Sequence, residues 1–112
     1  MKTIVMLCAA MLLMSTGVVV AKEQGHAGMA AKIAAAKSAK DHETLAAQYE
    51  KQAAEARAEV DRHDKMGASY TGAAREKLHL EEHCRTIANG YRDTAKELDA
   101  LAAGERELAK GK

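Results

Sequence analysis

The chain has 112 residues, a formal net charge of +1, 29% charged residues, and no Phe, Trp or Pro. That length allows one domain, and the balanced charge argues against nucleic acid as a partner, which would call for a basic face. Alanine supplies most of the apolar count outside the first 21 residues, so the chain is expected to be nearly all helix around a thin core.

Met1 to Ala21 places Lys2 before an apolar run from Ile4 to Leu13, followed by Ser15, Thr16, Gly17 and then Val19-Val20-Ala21. A positive start, a short apolar run and a small residue at the end are the layout of a secretory signal peptide. The run is short and its flanks small for a membrane span, and a retained membrane anchor is the competing reading of the segment. Cys8 follows the bulky Leu7 and lies very early, which argues against lipidation. The expected organisation is a signal peptide over 1–21, a flexible leader over 22–28 and a helical hairpin domain over 29–112, in a periplasmic or secreted protein with no membrane attachment after cleavage. His26, in the leader, would be fifth from the new amine, whereas a terminal copper clip needs a histidine third.

Met29 to Lys37 reads as a short Ala-rich helix with Ile33 as its one large aliphatic side chain. Ser38 followed by Asp41 has the spacing of a capping box and starts a second helix, with Asp41 and Glu43 near its positive end. From Asp41 to Tyr70 an inward stripe of His42, Leu45, Tyr49, Ala53, Ala56, Val60, His63, Gly67 and Tyr70 advances in steps of three and four. Ser69-Tyr70-Thr71-Gly72 is the predicted turn, with Gly72 free to take the left-handed conformation.

The return helix is predicted from about Ala74 to Ala103, with Leu80, Cys84, Ile87, Tyr91, Ala95, Leu98 and Leu101 or Ala102 facing inward. Gly90 weakens it, and Gly104 ends or frays it. A turn at Ser69–Gly72 sets Val60 opposite Ile87, Ala56 opposite Tyr91, Gly67 opposite Leu80, His63 opposite Cys84 and His42 opposite Glu105. The fold class is therefore all-α: a long antiparallel helical hairpin with a short N-terminal helix. So small a core predicts that the hairpin forms a homodimeric four-helix bundle, or that the short helix folds over it.

The segment Arg62 to Cys84 concentrates chemistry. It holds His63, His79 and His83, Met66, and Cys84, the only cysteine left after cleavage. His63 and Met66 share a helix face, and the predicted turn brings Cys84 opposite His63 with His83 beside it. In an exported protein a lone cysteine forms no disulfide within its chain; it joins another molecule, packs as an inert thiol, or ligates a metal. Imidazole, thiolate and thioether together suit a metal ion, copper as Cu(I) first and zinc second. The expected ligands are His63, Met66, His83 and Cys84, with His79 as a further candidate. His42 with Glu105 would make a weaker second site at the open end, although a charge-assisted hydrogen bond is the simpler reading of that pair. A lone histidine on a seam is more often a satisfied buried side chain than a ligand; convergence with Cys84 carries the metal reading.

The leader, the alanine-rich hairpin, His42 within Asp41-His42-Glu43, the His63-to-Met66 spacing and His83-Cys84 together make the chain look like the small exported helical-bundle metal-binding proteins of proteobacteria. The resemblance implies buffering, sequestration or delivery of periplasmic copper through one or two sites. Catalysis has little support: the chain lacks a nucleophile with partners and a Gly-rich phosphate loop, and a single hairpin offers no pocket of enzyme size. A structural or chaperone-like helical protein that binds other chains is the competing reading, and a redox-sensing dimer joined through Cys84 is the third.

Overall fold

The structure, a computed structural model, describes residues 28–111. The expected signal peptide, Cys8 and His26 lie outside the described residues. Among the described residues no helix is long and apolar enough to cross a membrane. The chain divides into two compact units after Ala34. Helix α1 covers residues 28–35, and on it Ile33 is 44% exposed.

The second part is the predicted hairpin. Helix α2 runs Ala39–Ser69, a short helix α3 runs Ala73–Lys77, and α4 runs Leu80–Lys110. Ser38 caps α2 as its spacing predicts. Its Oγ accepts from the Asp41 N–H at 3.1 Å, and Asp41 Oδ2 accepts from the N–H groups of Ser38 at 2.9 Å and Lys37 at 3.0 Å. These backbone donors stabilise the ionised carboxylate and pull the Asp41 pKa down from 3.8 to about 2. A pKa depressed in the folded state gives stability that is complete above the unfolded pKa and lost as pH falls through the folded one. Acid is therefore expected to fray the start of α2 between pH 3.8 and about 2. Asp41→Asn should flatten the acid limb in that window, as followed by helix circular dichroism; an unchanged limb would remove the cap from the account.

α2 ends at Ser69, and Gly72 takes φ +100°, a conformation open to glycine and strained for other residues. The return differs from the expectation. Instead of entering α4 directly, the chain makes the single turn of α3 and breaks again at Leu78 and His79, with His79 left-handed at φ 54°. This longer connection displaces α4 along α2 by about one helical turn. Gly67 now stands against Cys84, not Leu80: a Cβ built on Gly67 would lie 3.3 Å from Cys84 Cβ.

The displacement also turns α4 slightly, so Ala88 is fully buried while its neighbour Ile87 is 45% exposed. The α4 seam consists of Cys84, Ala88, Ala95, Ala102 and Ala109, with Tyr91, Leu98 and Glu105 half-buried beside them. The seam of α2 is His42, Leu45, Ala46, Tyr49, Ala53, Ala56, Val60 and Gly67. Alanine along one helix lets larger side chains on the other pack closely, with interdigitation at crystal-like density. α4 does not stop at Gly104. The seam continues to Ala109, and Glu105 and Arg106 make bonds back to α2, which outweighs a helix-interior glycine's cost of about 1 kcal/mol.

One edge of the seam is closed by charge. Arg92 bonds Asp64 at 2.6 Å, Arg57 bonds Asp99, and Arg106 bonds Glu50 with Glu43 at 3.8 Å. The Arg106 guanidinium holds the Glu50 carboxyl below its ordinary range. Exposed pairs such as these contribute up to about 1 kcal/mol each, so they orient the helices more than they stabilise them.

Candidate functional site

The tip places the predicted ligands apart. The His63 ring, half-buried, stacks on Tyr91 with centroids 5.8 Å apart and planes 18° from parallel. Tyr91 lies two turns along α4 from Cys84, about 10 Å at the helical rise, and His63 leans toward the former. Helical side chains tilt toward the N-terminus of their own helix, which carries the ring of His63 away from the tip and toward Tyr91. Its Nδ1 is buried without a hydrogen-bond partner. Cys84 carries a free thiol and is only 6% exposed, beneath Gly67.

Met66 is 41% exposed, and His83 is exposed on the outer side of α4. His79 sits at the start of α4 with its ring in solvent, Nδ1 3.6 Å from Glu82, in an open recess shared with Tyr70, Glu76 and Arg85. Among the described residues no three His, Cys, Asp or Glu side chains are grouped as a metal ion would need. The expectation that His63 meets Cys84 rested on the shorter turn; the α3 connection moves Cys84 one turn toward the tip.

The pairing at the open end is as expected. His42, 7% exposed, bonds Glu105 at 2.7 Å. A carboxylate only accepts, so Nδ1 carries the proton and donates to Glu105 Oε2. This is one charge-assisted hydrogen bond between helix ends, with Glu105 14% exposed at its side chain.

A different feature stands out on α4. Its ion-paired edge carries Arg92, Asp99 and Arg106; its opposite edge carries Ile87, Thr94, Leu101 and Leu108, one every seven residues. Ile87 is 45% exposed, Leu101 49% and Leu108 51%. Beside this stripe, three or four residues away at each step, lie His83, Gly90, Glu97 and Gly104, all exposed. Nothing lies within 4 Å of a Cβ built on Gly90 or Gly104. The positions Ile87, Gly90, Thr94, Glu97, Leu101, Gly104 and Leu108 advance in steps of three and four along one exposed strip of the helix, rotated one position from the buried seam. The sequence carries this signal. Leu101 and Ile87 read equally well as inward, and only the choice of Ala88 and Ala102 for the core frees them.

Compared with protein-family models, with curated proteins and with solved structures, the chain has no match.

Proposed function

We propose that the protein is a helical docking module: the hairpin holds α4 straight and presents its outer apolar edge to another helix. The observation that carries this reading is the exposure of Ile87, Leu101 and Leu108 in one line while the opposite edge of the same helix is closed by ion pairs. Small soluble proteins rarely leave aligned large aliphatic side chains in water, and such lines mark interaction surfaces. A seven-residue repeat is the pattern by which one helix accepts another. With the leader read as a signal peptide, the module works outside the cytoplasm. Copper or zinc at the tip would need His63 to leave Tyr91 and Cys84 to emerge from under Gly67, so the geometry favours docking over metal binding.

The test is site-specific photocrosslinking in cells expressing the full chain. A benzophenone side chain at position 101 should give a discrete covalent adduct, and the same group at Lys51, exposed on the outer face of α2, should give none. If position 101 yields no adduct, the docking reading fails.

A further inference from the structure

The α4 edge is complementary to itself. Set α4 antiparallel to a second α4 so that Ile87 lies opposite Gly104 of the second copy; the helical repeat then fixes every other layer. Gly90 falls opposite Leu101, Thr94 opposite Glu97 and His83 opposite Leu108, and the two-fold axis repeats each pair in reverse. Each large aliphatic side chain from Ile87 to Leu101 meets a glycine, which gives it a gap to enter and lets the backbones approach. Thr94, whose hydroxyl donates to the Gly90 carbonyl oxygen of its own helix at 2.9 Å, turns its methyl group and hydroxyl oxygen to the Glu97 layer at the centre of the seam.

The flanking positions agree with this register. Asp93 faces Ala100 and Thr86 faces Glu107, so no like charges are opposed. Sliding the second helix by three residues, nearly one turn, to centre the pair on residue 97 would set Glu97 against Glu97, a like-charge contact that disfavours the alternative. From His83 to Leu108 the seam runs about 37 Å. Gly90 and Gly104, which loosen an isolated helix and touch nothing within the hairpin, thereby acquire a packing role.

We infer that the partner of this edge is a second copy of the chain, two hairpins joining through antiparallel α4 helices in the register Ile87 to Gly104 and Gly90 to Leu101. The inference rests on the docking reading above and names its occupant. Such a joint is isologous: each copy gives and receives the same contacts, so it closes at two and does not propagate into a filament.

Sedimentation velocity of the purified protein tests it. The wild type should sediment as a dimer at high micromolar concentration. Gly90→Leu and Gly104→Leu should each weaken the dimer by about tenfold or more, while helix content holds or rises, because leucine is the better helix former. Leu101→Asp should give a folded monomer. In a Cys84→Ala background, mixing Thr94→Cys chains with Glu97→Cys chains under mild oxidation should trap a covalent dimer, whereas Lys51→Cys chains on the outer face of α2 should not. A monomeric wild type, or a dimer that survives both glycine substitutions and is not trapped, overturns the inference. A monomeric wild type whose position 101 still crosslinks to a protein of other mass overturns the self-pairing alone and leaves the docking reading standing.

Discussion

Gly67→Leu should destabilise the hairpin by about 1–3 kcal/mol, the usual range for forcing a side chain into a filled seam. The would-be Cβ already lies 3.3 Å from Cys84 Cβ and 3.7 Å from the Glu81 carbonyl oxygen, so the atoms that would have to give include backbone. Two long helices sharing so thin a core have little stability to lose. The same change lifts α4 off α2 above Cys84, so the thiol should change from slow to fast reaction with a disulfide reagent. Gly67→Ala is the control. Its single methyl is squeezed, but alanine gains about 1 kcal/mol of helix propensity, and the two effects should nearly cancel. Urea unfolding at one fixed protein concentration, with thiol kinetics alongside, decides the matter. A leucine variant as stable as wild type with an unreactive Cys84 would mean that the helices do not approach there.

The second large effect is expected at the open end. Changing Glu105 to Gln, or His42 to Ala, leaves the other group buried without its charged partner, a loss of about 2–3 kcal/mol. Replacing both by leucine removes the polar pair together with its desolvation penalty and should bring stability back to within about 1 kcal/mol of wild type or above it. A double-mutant cycle measured by denaturant unfolding reads the coupling directly. If the two single losses simply add in His42→Ala/Glu105→Gln, the 2.7 Å bond does not join the helices in solution.

Both variants test features of different legibility. His42 opposite Glu105 was readable because it depends only on two long stripes running antiparallel, and long side chains reach across an error of one turn. The Ser38–Asp41 cap and the glycine turn at Gly72 were readable for a local reason: both are short-range backbone chemistry with recognised residue types. The break at Leu78–His79 was not. Ala74 to Cys84 contains no proline or glycine, and although histidine is enriched among left-handed residues, nothing in the sequence separates His79 from His83 in that respect.

That one break decides the tip. It lengthens the connection, moves Cys84 from His63 to Gly67, and sends the His63 ring to Tyr91. Metal chemistry depends on a fraction of an ångström, whereas the fold class tolerates a slip of several residues; the hairpin was therefore legible where its ligand geometry was not. The exposed edge of α4 was hidden by a simpler ambiguity. Ile87 and Ala88, like Leu101 and Ala102, both fit steps of three and four, and hydrophobicity argues for the larger residue inside. Close approach of the two helices favours the smaller one, and the larger is left outside.

The hairpin also dictates an order of assembly. Contacts at the bend join residues near in sequence, whereas the His42–Glu105 bond spans 63 positions. Because the entropy of closing a loop rises with its length, the cheapest first contact is Gly67 on Cys84, and each later rung closes only a small additional gap. The chain is thus a zipper that starts at the bend, and the imidazole–carboxylate bond at the far end is the clasp that engages last.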